Sequence, residues 1–231
     1  MARRTPSLLD AFAAGRACLG SRSASAAEVL VKQAALGFRV HSGWTAIVAI
    51  ALEKGEPRVL ARQRSHLVET FTYYFRQPYH TAKRMGADKG ADFVSSMTSA
   101  ARRLAEEAIR SLQTSLRKEN YELSRCGLLL ASGRALPSFD KILASHALIH
   151  TADGELFREA LLDASKRCGV APFTIRDREL LDTASRALHV KEDALTRRLT
   201  ALGKPFGAPW SQDEKFAALA AWLALSQKKK S

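Results

Sequence analysis

Ser211-Gln212-Asp213-Glu214-Lys215-Phe216-Ala217-Ala218-Leu219-Ala220, near the end of this 231-residue chain, reads as the start of a buried helix. Ser211 is a favoured N-cap, and Glu214 at the third helical position completes a capping-box pattern. The residues from Phe216 to Leu225 are apolar all round, so the helix must be covered on more than one side. Asp213 and Glu214 open it. Acids are favoured in any first turn by the helix macrodipole, so capping accounts for both. The same two carboxylates are candidate metal ligands.

Upstream, the pattern alternates between helix and strand. Two short helices are predicted over 178–188 and 192–202, with a Pro/Gly loop at 204–210. A strand is predicted over 172–176, and a helix over 155–168 with Leu156, Ala160 and Ala164 on one face and Gly169 as its stop. Cys126–Ala131 is short and wholly apolar, as a buried parallel strand is, and leads into Ser132-Gly133-Arg134. Phe93, Met97, Ala101, Leu104, Ala108, Leu112 and Leu116 recur at three and four residues, the mark of one long amphipathic helix. Ahead of a loop at 83–90, three strands are predicted: a long apolar one over 38–52, then 58–69, then 70–79, which Pro78 ends. The order β-β-β-α-β-α-β-α predicts an α/β fold with a mixed five-stranded sheet and helices on both faces. Residues 1–36 are expected to be a flexible N-terminal extension, 37–227 a single domain and 228–231 a basic tail.

Over residues 145–225, three features resemble the second half of RuvC-type resolvases, a branch of the ribonuclease H-like superfamily. These are the helix opening Thr151-Ala152-Asp153-Gly154-Glu155, the strand Pro172-Phe173-Thr174-Ile175, and the last helix of the form acid-x-x-x-Ala-x-Leu-Ala. The resemblance implies a ribonuclease H-like fold and a nucleic-acid partner. In that family, carboxylates on the first strand, just after the fourth strand and in the last helix hold a pair of divalent metals that activate water at the scissile phosphate. Asp213 and Glu214 match the last-helix position. The first-strand position falls at His41 or Ser42 and the fourth-strand position near Ser132, and none of these is a carboxylate. Mg2+ or Mn2+ is therefore expected only if the chain is a nuclease with a rearranged site built on Asp213, Glu214 and Glu155.

The net charge of +13 and a pI near 10.1 favour an anionic partner. Arg62, Arg64, Arg76, Gln77, Tyr79, His80, Lys83, Arg84 and Arg134 are the candidate nucleic-acid contacts. Arg76-Gln77-Pro78-Tyr79-His80 in particular joins a cation, an amide, an aromatic ring and an imidazole, a set able to grip a phosphate and stack on a base. His41, Ser42, Ser132, His146, His150 and Glu155 are expected to line a polar cleft. His146-x-x-x-His150 has zinc spacing if both lie on one helix face. The helix start read at Thr151–Gly154 places His150 outside the helix, which argues against a metal there. No stretch approaches the apolar length of a membrane span. Cys18, Cys126 and Cys168 have no metal spacing and read as reduced thiols, so a cytoplasmic location is expected. These features predict a ribonuclease H-like, nucleic-acid-binding protein with degenerate nuclease chemistry. The alternatives are a metal-dependent nuclease with a rearranged site and a non-enzymatic interaction domain.

Overall fold

The computed structural model of the protein describes residues 31–131 and 135–227. Its centre is a five-stranded sheet in the order β3-β2-β1-β4-β5. β1 (Lys32–His41), β2 (Trp44–Glu53) and β3 (Glu56–His66) form an antiparallel meander, and β4 (Tyr121–Leu130) and β5 (Ala171–Arg176) add to β1 in parallel. Helices cover both faces. α1 (Tyr73–Arg76), α2 (Pro78–Met85) and α3 (Ala87–Lys118) connect β3 to β4. α4 (Phe139–Leu143) and α5 (His146–Arg167) connect β4 to β5. α6 (Leu180–Leu188), α7 (Glu192–Leu202) and α8 (Gln212–Ser226) follow. This is the α/β arrangement, a mixed five-stranded sheet with helices on both faces, that the element order predicts. Among the described residues no helix is long and apolar enough to cross a membrane.

Alternation along β1 divides the two faces. Leu36, Phe38 and Val40 point into a core shared with α3 and α5, where Ile109, Phe157 and Leu161 are fully buried. Ala35 points to the opposite core, which is built by α6, α7 and α8. α8 lies almost directly on the sheet backbone. A Cβ on Gly37 would sit 1.7 Å from the Ala217 carbonyl oxygen, and one on Gly127 would sit 2.2 Å from that of Ala220. Only glycine permits that approach, and the alanines of α8 supply the matching small surface. The capping box read at Ser211 and Glu214 is present.

Several elements differ from the sequence reading. The apolar run 38–52 is not one strand: Ser42-Gly43 turns between His41 and Trp44, with Gly43 at φ +81, so two strands form a tight hairpin. β1 starts at Lys32, so residues 32–36 belong to the sheet rather than to an extension. Residues 70–79 form no strand, because Pro78 occupies the first turn of α2, where its missing N–H leaves nothing unpaired, instead of ending a strand. The loop expected at 83–90 is helical apart from Gly86, where α2 gives way to α3. The helix expected from Glu155 begins nine residues earlier, at His146, where the Ser145 side chain caps it by accepting from the Leu148 N–H. Gly154 is therefore inside α5, not at its start. There it makes room for the Arg158 guanidinium, which would lie 2.9 Å from a Cβ.

Candidate functional site

The N-terminus of α8 faces the carboxyl end of β1. Asp213 Oδ1 lies 2.9 Å from His41 Nε2 and 3.6 Å from Arg39 Nε. Arg39 reaches in the other direction to Asp177, just beyond β5, at 2.6 Å. Arg39 and His41 stand two residues apart on one face of β1, so both are aimed at α8. The Asp213 carboxylate is thus held between two basic side chains, and a second carboxylate closes the other side of Arg39. Glu214 is engaged in the cap: its Oε2 accepts from the Ser211 N–H at 2.8 Å and from the Ser211 hydroxyl. Asp213 and Glu214 adjoin in sequence but take different partners.

A cavity of about 310 Å³ opens where β1 and β4 end against α5. His41, Ser42, Ala131, His150, Gly154 and Arg158 are among its walls. This is the carboxyl-end crevice of neighbouring parallel strands, the usual place for ligands in open α/β sheets. His41, Ser42 and His150 meet there. Glu155 is buried and pairs with Arg158 at 3.1 Å instead of projecting into the space. Arg158 Nε is buried with no hydrogen-bond partner. Ser132 and Arg134 lie outside the described residues, although Ala131 before them reaches the cavity.

His146 and His150 occupy successive turns of α5, with their Nε2 atoms 3.1 Å apart. This overturns the placement of His150 outside the helix. His80, from α2, joins them: its ring centroid lies 4.4 Å from that of His150 and 5.5 Å from that of His146. His80 Nδ1 lies 2.5 Å from Asp153 Oδ2, and Asp153 Oδ1 accepts the Tyr79 N–H at 2.7 Å. Asp153 is buried, and loss of solvent raises its pKa despite these partners. The segment 76–80, expected at a strand end, is a helix junction. Tyr79 is half-buried against Phe139 rather than exposed to a base, and burial raises its phenol pKa. Gln77 Oε1 is buried with no hydrogen-bond partner.

A third group sits across the hairpin end. Trp44 stacks on His41 with ring centroids 4.3 Å apart and carries the Arg64 guanidinium 3.7 Å from its ring centre. Arg76 stacks on Phe71 at 4.5 Å and donates from Nε to the Ser42 carbonyl at 3.1 Å. Beyond them Tyr73 and Tyr74 are 54% and 40% exposed, Arg84 lies 5.8 Å from the Tyr73 ring centre, and Lys83 is exposed. The basic residues expected to act together are therefore divided. Arg64 and Arg76 both pack on Phe71, and Arg84 lies over Tyr73, while Arg62 is held elsewhere. Arg62 donates to the carbonyls of Phe206, at 3.0 Å, and Pro209, tying β3 to the loop before α8.

The sequence reading does not single out Arg39, Asp177, Tyr73 or Tyr74. Arg39 was detectable as the residue two before His41 on a strand. Asp177 was not, because only the sheet order places β5 near α8.

No protein-family model and no curated protein matches the sequence. Solved structures similar to the chain include Thermus thermophilus RuvC in complex with a Holliday junction substrate, at 10% identity and a TM-score of 0.49. Another is a Thermus thermophilus RuvC structure, at 10% identity and a TM-score of 0.46. Each alignment covers 84% of this chain and 93% of the other.

Proposed function

We propose that this chain is a ribonuclease H-like module that binds nucleic acid and lacks a two-metal nuclease centre. The observation that carries the proposal is the pairing of Asp213 with His41 and Arg39. Hard divalent cations need several oxygen ligands and an excess of negative charge. Here the carboxylate in the last helix is neutralised from the first strand, where the resemblance would require another acid. This donor set does not fit a pair of Mg2+ or Mn2+ ions, and no hydrolytic step is derived through them. The exposed cations Arg64, Lys83 and Arg84 and the exposed rings of Tyr73 and Tyr74 suit a nucleic-acid backbone instead. Cations neutralise phosphates while aromatic faces stack on unpaired bases.

The test is fluorescence anisotropy on the full chain with labelled four-way junction DNA, linear duplex, single strand and hairpin RNA. Binding is expected at low salt and should weaken steeply as salt rises. Arg64→Ala with Arg84→Ala should flatten the log–log salt slope by about 0.9 for each phosphate no longer neutralised. Absence of binding to all four probes at low salt overturns the proposal.

The competing reading is a nuclease with a rearranged site on Asp213, Glu214 and Glu155. Incubation of the probes with Mg2+ or Mn2+ decides it: cleavage abolished by Asp213→Asn favours the nuclease. The engagement of Glu214 with Ser211 and of Glu155 with Arg158 weighs against it.

A further inference from the structure

We propose that His80, His146 and His150 form a binding site for a single transition-metal ion of the zinc class, with Asp153 as the carboxylate behind one ligand. One ring nitrogen from each histidine lies within 4.8 Å of the others. Tetrahedral zinc with imidazole ligands at about 2.0–2.1 Å places ligand nitrogens about 3.3 Å apart. The His146 and His150 pair already stands at 3.1 Å. His146 and His150 are exposed, so small side-chain rotations bring the set together without moving the core.

The second observation is the His80–Asp153 contact. A metal-bound histidine commonly donates its other ring N–H to a carboxylate, which fixes the tautomer and turns the free nitrogen toward the ion. His80 Nδ1 is 2.5 Å from Asp153 Oδ2. Its Nε2 is then the nitrogen presented to the other two rings. Asp153 is itself held by the Tyr79 N–H at 2.7 Å, so the outer carboxylate is fixed before any ion arrives. Three imidazoles without a thiolate or carboxylate in the inner set select a borderline ion such as Zn2+ over Mg2+ or Ca2+.

Three protein ligands leave a fourth tetrahedral position for water or an anionic group. His150 also forms part of the wall of the cavity at the ends of β1 and β4. A bound ion would therefore sit at the rim of that cavity. This site shares no residue with the Asp213 cluster, and it stands whether or not the chain binds nucleic acid.

The experiment uses the chelator-treated full chain. Zn2+ is titrated against a chromophoric chelator, and Co2+ is followed by its visible absorption. One equivalent of Zn2+ is expected, with a Co2+ spectrum of tetrahedral intensity and a rise in Tm on addition of Zn2+. His146→Ala with His150→Ala should abolish all three effects while leaving the far-ultraviolet circular dichroism unchanged, because both side chains are exposed. Asp153→Asn should weaken Zn2+ by about 10- to 100-fold. Should that variant fail to fold, His80→Gln, which keeps a polar side chain, must lose the Co2+ spectrum. Absence of Zn2+ binding by the unmodified chain, or binding that persists in the double variant, overturns the proposal.

Discussion

The two faces of the sheet are built on different length scales. Under α8, backbone meets backbone at two points: Gly37 and Gly127 lie beneath the carbonyls of Ala217 and Ala220. Under α3 and α5, large side chains such as Phe38, Ile109, Phe157 and Leu161 hold the layers apart. The polar groups at the edge of each face follow that spacing. Where α8 lies flat on the strands, its first turn is pressed against β1 and Asp213 finds Arg39 and His41 at once. Where α5 stands off, the ends of β1 and β4 open into a cavity with imidazoles at its rim. Close packing closes the charge of one cluster, and looser packing leaves the other accessible.

The largest expected effect tests the packing itself. Gly37→Ala adds one methyl group where the Ala217 oxygen would be 1.7 Å away, so α8 must lift off the sheet. A loss beyond about 4 kcal/mol is expected, at the extreme end for a single substitution. Leu161→Ala on the opposite face removes more atoms but leaves a cavity the core can partly close, for a loss of about 3 kcal/mol. Urea unfolding of both variants measures the contrast, and equal losses would break it.

Asp213→Asn comes next. Removing the charge shared by Arg39 and His41 should destabilise the fold by about 1 kcal/mol, since the group is partly exposed. It should not weaken nucleic-acid binding, because the change removes a negative charge and leaves the exposed basic side chains in place. A large drop in anisotropy-measured affinity would show that the carboxylate faces ligand rather than protein.

The smallest effect lies at the far end of the hairpin. Glu53 accepts from Tyr121 at 2.6 Å, Arg58 at 2.9 Å and Lys32 at 3.3 Å. Hydrogen bonds from Tyr121 and then Arg58 lower its pKa to about 2. A carboxylate whose folded pKa is depressed contributes stability above its unfolded value, about 4.3, and loses it as pH falls toward the folded value. Glu53→Gln should therefore lower Tm at neutral pH, and the difference from the parent chain should shrink between about pH 4 and pH 2. A difference that stays constant across that window removes Glu53 as its source.

Much of this architecture was legible from local rules. The 3.6-residue period of α3 and the Ser211–Glu214 cap are properties of neighbouring residues, and both are present. The division of 38–52 was hidden because Ser42-Gly43 sits within a long apolar stretch and lacks the Asn-Gly or Asp-Gly signature of a tight hairpin. The start of α5 was hidden by Gly154, read as a boundary although it lies inside the helix beside the Arg158 guanidinium. Gly37 and Gly127 did carry a signal, since glycine inside an apolar strand marks a close approach of another backbone. The histidine cluster was half visible. His146 and His150 are spaced for one helix face, but His80 and Asp153 reach them only through the packing of α2 on α5.

The arginines of β3 have one further consequence. Among the described residues β3 and β5 are the outermost strands, and an outermost strand offers unpaired backbone groups to any similar strand nearby. Along β3 stand Pro57, Arg58, Arg62 and Arg64, and β5 carries Pro172 and Arg176. Proline withholds a donor, and repeated positive charge repels a second copy of the same edge. Proline and arginine along the two outer strands thus disfavour addition of a further strand to the sheet.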